Sequence, residues 1–177
     1  MKIIPYATFN SFRKAQIARE VELQARSKNC PNVVRFKEQF TVEDMVCIVM
    51  ENMAGGDLQQ YLAQRQFKPV PENMARHVLK HICEALKYLH SHRIIHRDIK
   101  LENIMLSDHS LNCQAKLADF GLAETVSTTD GDKQGTKAGT AGYAAPEIVE
   151  GRPYGTASDM WSLGVLLYAM LTVQLPF

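Results

Sequence analysis

His96-Arg97-Asp98-Ile99-Lys100-Leu101-Glu102-Asn103 decides how the rest of the chain is read. It follows a long helical pattern and precedes the apolar run Ile104-Met105-Leu106. Twenty-one residues after Asp98 stands Asp119-Phe120-Gly121. Two carboxylates, one amide and one ammonium are thereby offered on short loops beside strands. Transfer of a phosphoryl group from a nucleotide uses such a set. One carboxylate orients the attacking hydroxyl, a second carboxylate and an amide oxygen hold magnesium, and a lysine offsets charge on the moving group.

Ala145-Pro146-Glu147 adds a third motif in order. One motif alone would be a polar loop with a stray carboxylate; three in this order and spacing are specific. Together they resemble the eukaryotic protein kinase family, serine/threonine type. The roles that follow are what the resemblance implies, not deductions from spacing. It implies an α+β, bilobal protein-kinase-like fold, here incomplete: a small-lobe sheet lacking its first strands, and a mostly helical large lobe ending after the family's helix F. Residues 1–50 would be the remnant of the small lobe, 51–57 the hinge and 58–177 a partial large lobe. Asp98 would accept the acceptor hydroxyl's hydrogen bond, Lys100 would neutralise the γ-phosphate, and Asn103 and Asp119 would hold magnesium. ATP and Mg2+ are the cofactors implied. Lys100 is the serine/threonine form of its position, and Thr140 would hydrogen-bond in the catalytic loop and favour serine or threonine acceptors. Tyr143–Glu147 and Asp159–Val165 most resemble the calmodulin-dependent and AMP-activated group.

Composition agrees with a soluble globular chain of 177 residues, 46% apolar and 22% charged, long enough to bury a sizeable core. A net charge of +1 points to neither a nucleic acid nor a membrane surface. Cys30, Cys47, Cys83 and Cys113 form no CxxC pair and no zinc spacing, so reduced thiols in a cytoplasmic or nuclear protein are expected.

Met1–Ile4 alone reads as an edge strand carrying a solvent-facing lysine. In the family's frame it is the end of the third strand, with Lys2 pairing the nucleotide's phosphates. A helix is expected over Ser11–Ser27, with Ala15, Ala18, Leu23 and Ala25 among charged residues. Glu20 is eighteen residues beyond Lys2, about where the family's lysine-binding glutamate falls; Glu22 is the competitor. Gln24 stands where the family places an apolar residue. Strands are expected at Val33–Phe36 and Met45–Met50, joined by a turn over Glu38–Asp44. Met50 would be the gatekeeper. Backbone groups of Glu51 and Met53 would bond the adenine edge, Asp57 would lie near the ribose, and Met105 would sandwich the base. Without those neighbours Gly55-Gly56 is an ordinary linker.

Short and long helices are expected over Leu58–Arg65 and from Pro71-Glu72 to about His92, the latter with a core stripe of Val78, Ile82, Ala85, Leu86 and Leu89. His77 and His81 read as helix-surface histidines, since no HExxH is present. Residues 125–137 read as a mobile loop, the activation segment in the family's frame. There Thr136, four residues before Thr140, is the expected phosphorylation site, and Arg97 its phosphate partner. Ser158 is expected to cap a helix over Asp159–Leu171 that is apolar nearly all round. Asp159 would tie down the His96-Arg97 backbone.

The chain matches the family at both ends only to a fragment, with no glycine-rich phosphate loop before Lys2. Low activity of this chain alone is therefore expected. Leu163, Val165, Leu166, Leu167 and Met170 are expected to be partly wet, and a chaperone is a candidate partner. Asp57 and Glu102 imply a modest preference for one basic residue upstream of the acceptor. A catalytically dead binding module and a nonfunctional truncated product are the competing readings.

Overall fold

A computed structural model describes residues 1–6, 8–126 and 138–177. Three strands, β1 (Lys2–Pro5), β2 (Phe36–Val42) and β3 (Met45–Met50), form an antiparallel sheet in the order β1-β3-β2. The centre strand carries Val46, Cys47 and Ile48, all buried, which is why it reads as an unbroken apolar run. Helix α1 (Ser11–Arg26) lays Ile17 against Ile4, Val46 and Ile48 to make a small core. Its start is fixed by Asn10, whose Oδ1 accepts the Arg13 N–H at 2.9 Å. The face turned inward carries Ile17, Glu20, Leu23 and Gln24, whereas Ala15 and Ala18 are exposed.

The second strand differs from its sequence reading. Residues 38–42 belong to β2, and the turn is only Glu43-Asp44, with Val42 opposite Met45 and Glu43 at φ 50°. This edge strand faces water along nearly all its length, Phe40 and Val42 included. Phe36, Phe40 and Val42 alternate with Lys37, Gln39 and Thr41, but Glu38 interrupts the apolar face, so the segment reads in sequence as a polar turn. Val33 and Val34 instead leave the sheet for the other body. Val33 bridges Leu117, and the Val34 N–H donates to the Leu117 carbonyl at 2.9 Å.

That other body is mainly helical. It contains α2 (Leu58–Gln64), α3 (Glu72–Ser91), α4 (Pro146–Val149) and α5 (Ala157–Thr172), with the two-stranded pairs β4 (Ile94–Ile95)–β7 (Glu124–Thr125) and β5 (Ile104–Leu106)–β6 (Ala115–Leu117). The expected α3 stripe is fully buried against Leu58, Ile104, Leu117 and Leu166. Burial of Val78, Ile82, Leu86 and Leu89 contributes about 1.5–3 kcal/mol each.

The start of α5 also departs from expectation. Ser158 lies inside the helix and donates from Oγ to the Gly155 carbonyl at 2.7 Å, while Thr156 occupies the cap position without a side-chain bond. Leu163, Val165, Leu166 and Met170 are buried and Leu167 is partly so; the wet face is Met160, Trp161, Tyr168 and Leu171. A helix apolar all round carries no phase from which to read its outer face. His77 and His81 are half-buried rather than on the surface. Their rings meet edge to face at 4.3 Å, and His81 Nδ1 accepts the Ala115 N–H at 3.1 Å.

Residues 51–57 join the two bodies. The Gly55 N–H donates to the Leu106 carbonyl at 3.0 Å, and the Leu106 N–H donates to the Gly56 carbonyl at 2.8 Å. A Cβ at Gly55 would stand 2.3 Å from the Asp108 carbonyl oxygen, so the glycine permits a close approach and is not a loose linker. Among the described residues no helix is long and apolar enough to cross a membrane.

Candidate active site

The loop after β4 is held from beneath by Asp159, which is fully buried. Its Oδ2 accepts the His96 N–H at 2.9 Å and its Oδ1 the Arg97 N–H at 2.8 Å; Oδ2 also meets His90 Nε2 at 2.8 Å. Arg97 needs this restraint because it sits at φ 66°, a left-handed conformation that a branched-free but bulky side chain adopts at a cost. His96 packs edge-on to Phe120 at 5.2 Å. Its Nδ1 accepts the Asp98 N–H at 3.3 Å, so Nε2 carries the proton and donates to the Ala118 carbonyl at 3.1 Å.

That scaffold presents a fixed carboxylate. Asp98 Oδ1 accepts the Thr140 hydroxyl at 2.6 Å, and Oδ2 accepts Asn103 Nδ2 at 2.9 Å and pairs with Lys100 Nζ at 2.9 Å. Lys100 also donates to Thr140 Oγ1 at 2.8 Å, and Asn103 Nδ2 to the Asp98 carbonyl at 2.7 Å. Asn103 thus uses its amide nitrogen on the loop and keeps its oxygen for another purpose.

A second cluster gathers residues far apart in sequence. Lys2 Nζ donates to Glu20 Oε1 at 2.6 Å and to Asp119 Oδ1 at 3.1 Å. Burial alone would push the Lys2 ammonium down; the Glu20 hydrogen bond and the two carboxylate charges outweigh it and raise its pKa. Burial likewise would push Asp119 up, but Lys2 and the Gly121 N–H, 3.1 Å from Oδ1, hold it below the usual carboxylate range. Glu22 is exposed and faces Arg26 at 3.7 Å, so Glu20 alone of the two reaches Lys2. Gln24, buried, donates to the Val34 carbonyl at 3.2 Å, which accommodates an amide where an apolar residue was expected. Asp119 is itself left-handed at φ 62°.

Magnesium prefers oxygen ligands and retains phosphate and water oxygens in its shell. The Asn103 amide oxygen, left free by its nitrogen's bonds to Asp98, and the Asp119 carboxylate are oxygen donors of the type that ion takes. Among the described residues no cluster of three or more His, Cys, Asp or Glu side chains forms a separate metal cage.

In the connector, the Glu51 N–H donates to the Arg35 carbonyl at 2.9 Å and the Met53 carbonyl accepts the Gly56 N–H at 3.1 Å. The Glu51 carbonyl and Met53 N–H are the backbone groups left. The Glu51 carboxylate pairs with Lys116 at 2.8 Å, a contact that sequence reasoning did not find. Asp57 Oδ1 caps α2 by accepting the Gln60 N–H at 2.8 Å, and Asp57 bridges Met105 through the backbone. Thr136 lies outside the described residues. Arg97 is already engaged: Nε donates to the Leu122 carbonyl at 2.7 Å, and Nη1 meets Glu124 at 2.9 Å and the Tyr154 hydroxyl.

The surroundings of two histidines predict a fold that loses stability in acid. Burial lowers the His96 pKa, against the raising pull of Asp159, Asp98 and Asp119; burial and then His77 lower that of His81, against Glu84. Above the unfolded value, about 6.5, both states are neutral and nothing is gained or lost. Below it the unfolded chain binds protons more readily, so stability falls with pH until the lower folded pKa values are passed. Urea midpoints should therefore decline from pH 7 to pH 5, and His81→Gln should flatten that decline. An unchanged slope in the variant would contradict the assignment for His81.

Residues 1–177 match the protein kinase domain. The chain is 41% identical over 163 residues to NUAK family SNF1-like kinase 1 of Homo sapiens, covering 91% of this chain and 23% of that protein. It is 36% identical over 162 residues to SNF1-related protein kinase catalytic subunit alpha KIN12 of Arabidopsis thaliana, covering 92% and 31% respectively. Against Serine/threonine-protein kinase Nek3 of Mus musculus it is 40% identical over 159 residues, covering 90% and 30%. The chain belongs to the protein kinase family, among its serine/threonine members, and spans less than a third of the length of these relatives. The SNF1-type relatives agree with the likeness to the AMP-activated and calmodulin-dependent group.

Proposed function

We propose that the chain is the phosphoryl-transfer part of a serine/threonine protein kinase, moving the γ-phosphoryl of MgATP to a protein hydroxyl. The observation that carries this is Asp98 fixed by Thr140, Lys100 and Asn103, with Lys2, Glu20 and Asp119 joined beside it. In this reading residues 1–50, 51–57 and 58–177 are small lobe, hinge and large lobe. Asp98 accepts the acceptor hydroxyl's hydrogen bond and Lys100 balances charge on the phosphoryl oxygens. Lys2, oriented by Glu20, faces the nucleotide's phosphates, while Met105 and the backbone of Glu51 and Met53 receive the base. Asn103 and Asp119 hold magnesium, which when bound offsets phosphate charge.

Exposed Glu102 and half-exposed Asp57 support a preference for one basic residue upstream of the acceptor, although Asp57 is partly committed to capping α2. The wet face of α5 supports a chaperone as a partner of this chain, and four free cysteines support a cytoplasmic or nuclear location. Phosphorylation at Thr136 remains part of the reading, with Arg97 as partner once Glu124 yields it.

MgATP should raise the melting temperature of the purified chain, by the equivalent of about 2.7 kcal/mol at a hundred times Kd. Magnesium-dependent stabilisation with weak radiolabel transfer to a serine peptide is the expected pattern for these 177 residues. Stabilisation with no transfer to any serine or threonine peptide would favour the binding-module reading. No stabilisation at any MgATP concentration would reject the nucleotide site.

A further inference from the structure

Glu124 is the point where three parts of the site meet. Its backbone is paired with Ile95, immediately before His96, so it cannot drift from the 96–103 loop. Its carboxylate meets Arg97 Nη1 at 2.9 Å through Oε2 and Arg19 Nη1 at 3.5 Å through Oε1; Oε2 also accepts the Tyr154 hydroxyl at 2.8 Å. The Arg97 and Glu124 side chains are only 10% and 13% exposed, so this pair is poorly screened. Arg19 is 40% exposed and is the adjustable partner. The neighbours of the two arginines matter most: Arg19 precedes Glu20, the partner of Lys2, and Arg97 precedes Asp98.

We propose that Glu124 is a positioning residue. Held between Arg19 of α1 and Arg97 of the catalytic loop, it sets the approach of α1, and with it Glu20 and Lys2, to Asp98. The proposal rests on the kinase reading for its consequence but on ion-pair geometry for its substance. Losing the carboxylate leaves two guanidinium groups facing each other across the gap, and α1 moves away from the loop. Glu20 then holds Lys2 less well over the phosphates. A phosphate or other anion arriving at Arg97 competes with Glu124 for the same guanidinium.

The test uses the 177-residue chain with Glu124→Gln, Glu124→Asp, Arg19→Gln and the Glu124→Gln/Arg19→Gln double variant. Amide hydrogen exchange is followed in α1 and α3, and MgATP affinity is measured by titration. Glu124→Gln and Arg19→Gln should each speed exchange over residues 17–23 and weaken MgATP about 5-fold or more, with α3 unchanged. The double variant should be no worse than the poorer single, and Glu124→Asp should recover most of the loss. Unchanged exchange in α1, additive single effects, or α3 loosening in step with α1 would each overturn the proposal. A wild-type chain that binds no MgATP would reject the kinase reading, and the exchange measurement alone would then decide the coupling.

Discussion

Asp98→Asn is expected to slow phosphoryl transfer by about 10²–10⁴-fold while leaving MgATP affinity nearly unchanged. The side chain sits among Thr140, Lys100 and Asn103, and an amide of the same shape keeps part of those contacts. What is lost, in the proposed reading, is the carboxylate that takes the acceptor's proton. Asp119→Asn should behave differently, losing magnesium-dependent nucleotide binding as well as transfer, because in the proposed reading Asp119 holds the ion and it is also a partner of Lys2. Equilibrium MgATP binding with and without magnesium, beside radiolabel transfer, separates the two. Equal loss of binding in both variants would overturn the division of roles.

Asp159→Ala should be the most destabilising single change in the described part of the chain. The carboxylate is fully buried and serves two backbone N–H groups and His90. Removing it strands those donors and releases the left-handed turn at Arg97. A buried, hydrogen-bonded acid lost in this way costs about 3–5 kcal/mol. Domains of ordinary stability have only about 5–15 kcal/mol in total, so the variant should be near the edge of folding. Asp159→Asn, which retains one acceptor, should fall between. A urea midpoint for Asp159→Ala close to that of the parent would show that the N–H groups find other partners.

The parts of the site that were legible in sequence are those set by chemistry at fixed local spacing. Asp98, Lys100 and Asn103 lie within one short loop, and the structure brings their side chains together. Lys2 meets Glu20 across eighteen residues because β1 and the inward face of α1 share one small core. What was not legible has physical reasons. Strand β2 is exposed on both faces, and its alternation of Phe36, Phe40 and Val42 with polar residues is broken by Glu38. The outer face of α5 is as apolar as its inner face, so its exposed residues, Met160, Trp161, Tyr168 and Leu171, are visible only once the helix is packed. Glu124, Arg19 and Tyr154 belong to no motif; an ion pair between residues 19 and 124 depends on how two bodies meet.

The reciprocal hydrogen bonds between Gly55-Gly56 and Leu106 make the second half of the connector a part of the helical body. The docking of Val33-Val34 on β6 does the same for the chain entering β2. What remains of each crossing without such bonds to the helical body is Glu51–Ala54 on one and Arg35 on the other. Those two crossings lie side by side, since the Glu51 N–H donates to the Arg35 carbonyl and the Arg35 N–H to the Glu51 carboxylate, at 2.9 and 2.7 Å. Two crossings latched to each other act as one strap, so a change at either Arg35 or Glu51 is expected to be felt by both.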